Sequence, residues 1–174
     1  MKADHDEFRQ FLSGLPQQLS LDRIRSHWTK YAFHFTDIRN AAKILSCGQM
    51  LPRANLPSGS FIDVASPVVI ARTEREVSDY VRLYFRPRTP TQFRSEGIRP
   101  TNKLWENSHC PVPVFFLFDL VQLLTRDDCL FSDGNLAKLG YDRLCSSATE
   151  LESFAFDKIY HVTWVSNEER EDIV

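Results

Sequence analysis

The sequence has few cysteines, no long apolar run and almost no net charge, and each of these absences excludes a class of protein. Among its 174 residues the four cysteines are widely spaced, without a C-x-x-C pair or a histidine at a zinc-finger interval. We therefore expect free thiols and no metal site. No apolar run approaches the ~20 residues that cross a bilayer, and the charged N-terminus is unlike a signal peptide. These absences predict a protein of the cytoplasm that uses neither a membrane nor a metal.

The length and the charge balance are those of one ordinary globular domain. A chain of 174 residues can bury a hydrophobic core without disulfides or metals. The formal net charge of -2 means that the molecule as a whole is not a general binder of polyanions. Any contact with a nucleotide or a nucleic acid must therefore be local.

One segment, residues 80–100, departs from this balance. It holds five arginines against a single carboxylate, Glu96. The arginines are Arg82, Arg86, Arg88, Arg94 and Arg99. Because a guanidinium is planar, always charged and able to bind phosphate oxygens in pairs, this density indicates a phosphate or pyrophosphate ligand. Arginine runs also occur as solvated faces or as partners of carboxylates, and charge alone leaves those alternatives open.

Two features of the same segment favour a ligand. Pro87 and Pro90 fix the backbone on either side of Arg88, so the loop that presents this arginine is stiff. The segment also offers flat apolar surfaces on which a base or a nicotinamide ring could stack, although aromatic residues in such runs usually belong to the core. These aromatic residues are Tyr84, Phe85 and Phe93. Residues 81–85, which precede the loop, are predicted to form a short buried strand.

The chain begins with two predicted helices, in residues 4–12 and 21–31. Apolar residues recur there at helical spacing, Asp4 and Ser20 are suitable N-caps, and Pro16 separates the two segments. We expect these helices to contribute packing only. They form an N-terminal extension, residues 1–27, to a domain that spans residues 28–174.

A strand followed at once by a helix is predicted at residues 33–51. The strand takes residues 33–38, Thr36 or Asp37 can cap the helix, and Gly48 lies where a left-handed C-terminal residue belongs. His34 therefore lies near a strand end, beside helix N–H groups that can receive an anionic oxygen. A histidine in an apolar run is more often structural than functional, and both interpretations stay open.

The rest of the chain gives further elements. Residues 52–66 are predicted to form a loop that is long enough to cover another part of the molecule. Residues 67–70 are predicted to form a short strand. The most hydrophobic run, residues 111–120, indicates a central strand followed by a helix in residues 119–124. Residues 131–135 indicate a strand that ends in a turn, where Asp133 and Asn135 suit either turn chemistry or a ligand contact. A last helix is predicted to begin after Ser166 or Asn167.

Four blocks, taken in order and at these spacings, resemble the DarT family of DNA ADP-ribosyltransferase toxins. The blocks are HFTDIRNAAKILSCGQML, YVRLYFRPRTPTQF, CPVPVFFLFDL and FSDGN. The resemblance implies an α+β structure with the ADP-ribosyltransferase fold, in which a split antiparallel β-sandwich holds NAD in a cleft. It also implies the reaction, in which NAD is cleaved and its ADP-ribose is transferred to a base of single-stranded DNA.

The resemblance implies roles for particular residues and partners. His34 and Thr36 match the family's first strand and would contact the nicotinamide end of NAD. Tyr84 and Phe85 match its second strand and are expected to bind NAD as well. Arg86 is expected to bind the pyrophosphate, with Arg88 at the pyrophosphate or the DNA backbone. The remaining arginines of the segment are expected to bind nucleic acid, namely Arg82, Arg94 and Arg99. Such toxins typically act with a macrodomain antitoxin that removes the modification.

The family's catalytic glutamate has no match in this sequence. It belongs to a block resembling R-x-A-E that is expected after the helix beginning at Ser166, and the sequence ends at Val174 before such a block. The resemblance therefore implies a transferase that could be inactive as it stands. The alternatives are a catalytically dead module that binds NAD or nucleic acid, and a transferase whose acceptor is RNA or protein.

Overall fold

The computed structural model describes residues 1–65, 70–71, 76–104, 108–134 and 144–162. Its helices within these ranges, in chain order, are α1 His5–Gln18, α2 Arg23–Trp28, α3 Ile38–Cys47, α4 Pro90–Ser95, α5 Leu120–Leu124, α6 Ala148–Glu152 and α7 Phe156–Ile159. The strands in the same ranges are β1 Tyr31–Asp37 and β2 Pro113–Asp119. Short 3-10 turns occupy Arg53–Asn55, Glu76–Asp79 and Thr101–Lys103. The described chain is a mixed helix and strand structure, as predicted.

The strands β1 and β2 form an antiparallel sheet whose register pairs Tyr31 with Asp119 and Asp37 with Pro113. On the other edge of β1, Phe33 and Tyr84 exchange two backbone hydrogen bonds of 2.8 Å. Thus β1 lies between β2 and the chain at Tyr84. The predicted strands at β1 and β2 are confirmed, because their β-branched and aromatic residues suit a pleated, half-buried surface.

The predicted strand at residues 81–85 is wrong. Only Tyr84 makes a bridge, and Val81, Arg82 and Leu83 have no regular secondary structure. A short apolar run does not reveal whether a partner strand lies alongside it, and here the pairing with β1 is limited to one residue.

The N-terminal helices also differ from the prediction. The first helix continues through Pro16 to Gln18, because a proline in the last turn of a helix removes only a single intrahelical hydrogen bond. Ser20, with φ of 49°, follows this helix in the left-handed conformation. The second helix is capped by Asp22, whose carboxylate accepts from the N–H groups of Ile24 and Arg25. Two helices are present as predicted, with different ends.

One hydrophobic core joins the N-terminal helices to the rest of the chain. Phe8 in α1, Trp28 in α2, Phe33 in β1 and Leu120 in α5 are all buried in the same cluster. An aromatic group consisting of Phe131, Phe154, Phe156 and Tyr160 completes it, with ring centroids about 6 Å apart. The core therefore fixes β1 against helices from both ends of the described chain.

Several predicted elements lie wholly or partly outside the described residues. The strand at residues 67–70 and the helix after Ser166 fall there, as does Asn135. Phe131, the first residue of the predicted 131–135 strand, forms an isolated bridge with Cys145. The helix predicted at residues 119–124 is confirmed as α5, and Asp119 caps it by accepting from Gln122 N–H at 2.8 Å.

Candidate functional site

The site is built at the junction where β1 ends and α3 begins. Asp37 caps α3, as its carboxylate accepts from the Arg39 N–H at 2.9 Å and from Arg39 Nε at 2.7 Å. The side chain of Asp37 is fully buried. Its hydrogen bond with the Arg39 side chain is the main cause that lowers the pKa of this carboxyl below its ordinary value. The helix start is therefore fixed by an ionised carboxylate, and Gly48 ends α3 in the predicted left-handed conformation.

Asn40, buried in the first turn of α3, joins three parts of the chain. Its side-chain amide exchanges two hydrogen bonds of 2.8 Å with the backbone of Ile62, donating to the carbonyl and accepting from the N–H. The same amide donates to the hydroxyl of Thr36 at 3.1 Å. Segment 53–65 is thereby held against the end of β1. Sequence reasoning did not identify Asn40, because its partner Thr36 lies in β1 before the helix start and its partner Ile62 lies 22 residues further along the chain.

His34 lies in the middle of β1 and not near a strand end as predicted, because the strand runs from Tyr31 to Asp37. The chain that runs alongside orients its ring. Its Nδ1 lies 2.9 Å from the carbonyl oxygen of Arg82. Because a carbonyl can only accept, Nδ1 carries the proton and donates, which leaves Nε2 of the neutral ring as an acceptor. Burial is the main cause that lowers the pKa of His34, so the ring is neutral at pH 7.

Tyr84 and Phe85, which are adjacent in the segment, have different surroundings. The backbone of Tyr84 pairs with Phe33, and its ring centroid lies 6.3 Å from that of Phe35. The ring of Phe85 packs edge-on against Phe154 and Phe156, with centroid distances of 6.4 and 5.7 Å. Phe85 therefore belongs to the aromatic part of the core, whereas Tyr84 borders His34 along β1.

Arg86 is buried, with only 8% of its surface exposed. Its Nη1 donates to the carbonyl of Ile159 at 3.0 Å and lies 3.0 Å from Nδ1 of His161. Its Nε is buried without a hydrogen-bond partner in the described part of the chain. Burial, and secondarily the charge of Arg88, lowers the pKa of Arg86. One edge of this guanidinium is thus occupied by the end of α7, and the other keeps an unused donor.

Arg88 has the opposite environment. It is exposed, and its guanidinium carbon lies 5.9 Å from the centroid of the Trp28 ring. Within the described ranges neither a hydrogen bond nor an ion pair engages Arg88. Its charge is therefore available to a ligand in a way that the charge of Arg86 is not.

The other arginines lie apart from this pair. Arg99 donates to the carbonyls of Arg94 and Phe93 at 3.1 and 2.9 Å, so its side chain closes the end of α4. Arg82 contributes its carbonyl to His34. The structure brings together His34, Arg82 and Tyr84 around β1 and places Thr36 at the end of that strand. Among the contacts described, those of the Arg99 side chain are with the end of α4 and not with these residues.

The described elements define a small α+β domain in which β1 carries a neutral histidine and leads into a capped helix start, and an exposed arginine lies over the last residue of α2. The family model for DarT, described as an ssDNA thymidine ADP-ribosyltransferase, matches residues 33–173. The chain belongs to this family. No curated protein and no solved structure gives a match.

Two further observations concern ligands and surroundings. No helix within the described ranges combines the length and the apolar character needed to cross a membrane. In the same ranges, no three side chains of His, Cys, Asp or Glu lie together in a way that could hold a metal ion.

Proposed function

We propose that this chain is an NAD-dependent transferase domain that attaches ADP-ribose to a base of single-stranded DNA. The observation that carries the proposal is the family match, which spans β1, the arginine segment and β2. The nucleoside named in the family's description is thymidine, and we propose its thymine base as the acceptor. NAD would then be a substrate that is consumed and not a resident cofactor.

The nicotinamide end of NAD would bind at β1. In the neutral His34 ring, Nδ1 is occupied by the Arg82 carbonyl, and Nε2 is an acceptor without a partner among the described residues. An acceptor of this kind suits the carboxamide N–H groups of nicotinamide. Thr36 is 5% exposed and its hydroxyl already accepts from Asn40, so we give it the lesser part of this contact.

The phosphates would bind at the arginine pair. The exposed guanidinium of Arg88 has no carboxylate partner in the described part of the chain, and phosphate oxygens are its preferred partners. The buried Nε of Arg86 lacks a partner as well, which fits an anionic oxygen better than any apolar group. Arg88 would grip the pyrophosphate or the DNA backbone, and Arg86 would add one donor from the interior.

The chemistry requires one group that we assign to no residue. Departure of nicotinamide leaves an oxocarbenium-like ribose that an enzyme stabilises with a carboxylate. Glu150 accepts from the N–H groups of Ser146 and Ser147, so it is committed to the cap of α6, and Glu152 is exposed on that helix. The roles that we propose for the described residues are therefore to bind and orient NAD and the DNA strand.

We propose further that the protein acts as a toxin whose modification of DNA is removed by a macrodomain antitoxin. Support for this role is the family membership alone. A base in single-stranded DNA is exposed during replication and repair, so its modification would stop growth unless it is removed.

The test is transfer of labelled ADP-ribose from NAD to synthetic oligonucleotides. We expect label on a single strand that contains thymidine, and none on a strand that lacks thymidine or on the matching duplex. Label that appears only on RNA or on protein would show that the acceptor is that molecule and not single-stranded DNA. Binding of NAD without label on any acceptor would contradict the proposed transferase activity. The chain would then be a module that binds NAD without transferring ADP-ribose.

A further inference from the structure

Trp28, the last residue of α2, lies outside residues 33–173 that the family model matches, yet it contacts a candidate ligand-binding residue inside them. This residue is 8% exposed, and the Arg88 guanidinium stands over its ring at 5.9 Å from the ring centroid. A cation at this distance is attracted by the negative face of an indole. The N-terminal segment therefore supplies the surface on which Arg88 rests.

The surface under Arg88 is held in place by contacts on two sides. The Asp22 cap fixes the start of α2, and Arg25 on the same helix donates to the Tyr160 carbonyl at 3.5 Å. Two residues before Arg88, Arg86 donates to the neighbouring carbonyl of Ile159. The end of α7 thus ties α2 and the arginine segment to one point of the core. Both the helix that carries Trp28 and the segment that carries Arg88 are therefore held against the same helix end.

Among the described residues, neither a hydrogen bond nor an ion pair holds the Arg88 side chain in addition to this ring contact. A free arginine loses about 2 kcal/mol of rotamer freedom when a ligand immobilises it, and a partner that orients the guanidinium beforehand lowers that cost. Because Arg88 is exposed while Trp28 is buried, the indole orients the cation and leaves its N–H groups open to a ligand.

We propose that Trp28 is a positioning residue that holds the Arg88 guanidinium ready for a phosphate group. The proposal rests on the proposed function, in which Arg88 contacts phosphate. The phosphate belongs either to the pyrophosphate of NAD or to the DNA backbone, and these two sources share the chemistry that Arg88 recognises. The segment before the matched region is thereby part of the ligand site and not only a packing extension.

A double-mutant cycle on the full chain tests the proposal. Four variants are compared with wild type, namely Trp28→Leu, Trp28→Phe, Arg88→Ala and the double variant Trp28→Leu with Arg88→Ala. The probes are NAD, titrated by calorimetry, and a fluorescent single-stranded thymidine oligonucleotide, followed by anisotropy. We expect Trp28→Leu to weaken binding of the phosphate source by about two- to fivefold, the size of an exposed cation–π contact. Trp28→Phe should retain most of the affinity, and Trp28→Leu should cost nothing further in the Arg88→Ala variant.

The controls separate positioning from packing. Phe8→Leu replaces another buried ring of the same core, and none of the contacts described joins Phe8 to Arg88. This variant should lower the melting temperature without changing either affinity. Equal losses from Trp28→Leu in the wild-type and the Arg88→Ala backgrounds would overturn the proposal, because the tryptophan would then act through the fold alone. Unchanged affinity for both probes in Arg88→Ala would instead remove the phosphate role of Arg88, and the positioning role with it.

Discussion

Two arginines separated by one proline have opposite environments, and the reason lies in a helix end that is distant in sequence. The last carbonyls of a helix lack intrahelical partners, and the Ile159 carbonyl at the end of α7 accepts from Arg86. Arg88 has no such acceptor among the described residues and remains exposed above Trp28. In the sequence the two arginines look equivalent, because the carbonyl that distinguishes them belongs to residue 159, which is far along the chain. Only the structure separates the interior donor from the accessible one.

The burial of His34 makes a prediction about pH. Because burial lowers its pKa, the unfolded chain binds a proton on this side chain more readily than the folded chain does. Between the unfolded value of about 6.5 and the lowered folded pKa, protonation therefore favours unfolding. We expect the free energy of unfolding to fall as the pH is lowered through this window.

The variant His34→Gln, whose side chain does not titrate, provides the comparison. Urea titrations at about pH 7.5 and about pH 5.5 give the loss of stability for both proteins. Wild type should lose more than the variant does. Equal losses would mean that His34 is as accessible to protons in the folded state as in the unfolded chain.

At the scale of the element, both ends of α3 could be predicted, whereas the ends of α1 and α2 and the contacts between segments could not. The caps of α3 and α5 at Asp37 and Asp119, and the left-handed Gly48, follow from residues adjacent in sequence. The clamp of Asn40 on Ile62 joins residues 22 positions apart, so no local pattern indicates it. The prediction of a strand at residues 81–85 was wrong for the same reason. Strand formation there depends on how many residues pair with β1, and a local pattern does not show that number.

The clamp itself can be tested by Asn40→Ala. This variant leaves the N–H and the carbonyl of Ile62 without their partners, and unpaired buried polar groups cost about 1–3 kcal/mol each. We expect the free energy of unfolding, measured by urea titration, to fall by about 2 kcal/mol or more. Lys43→Ala is the matched control, because Lys43 lies on the same helix and bonds the carbonyl of Ser60 in the same segment, yet it is exposed.

The control should change stability by no more than about 0.5 kcal/mol. A loss for Asn40→Ala as small as that of the control would show that segment 53–65 is held by other contacts. Loss of NAD binding in Asn40→Ala, at a temperature where the variant is folded, would in addition indicate that Asn40 positions the Thr36 hydroxyl for NAD.

At the scale of the whole molecule, the N-terminal helices and the family-matched region share one core. Phe8, Leu12 and Leu15 of α1 pack in the same cluster as Leu120 and Leu124 of α5. Backbone bonds add to this, since Lys2 N–H donates to the Thr125 carbonyl at 2.8 Å. The sequence suggested an extension that ends at residue 27, because the resemblance begins at residue 28. The shared core forms because the apolar faces of these helices pack against each other. Sequence motifs do not reveal which apolar faces pack together.

The fold expected from the family is broader than the sheet that the described residues form. Here β1 and β2 make one antiparallel pair, extended by a bridge at Tyr84. The split sandwich and its cleft stay predictions that rest on family membership. What the sequence could predict was the order of the matched blocks and the identity of the residues along β1. What it could not predict was the position of each arginine, which tertiary contacts decide.

The central claim is that this chain binds NAD at β1 and the arginine pair, and calorimetric titration of the folded protein with NAD tests it most directly. We predict saturable binding at one site, competition by ADP-ribose, and weaker binding in Arg88→Ala, while the matched surface variant Arg9→Ala binds as wild type does. Arg9 is exposed on α1 and paired with Asp6, and none of the contacts described joins it to the residues of the site. Absence of any binding heat at about millimolar NAD, with the protein shown to be folded, would contradict the account.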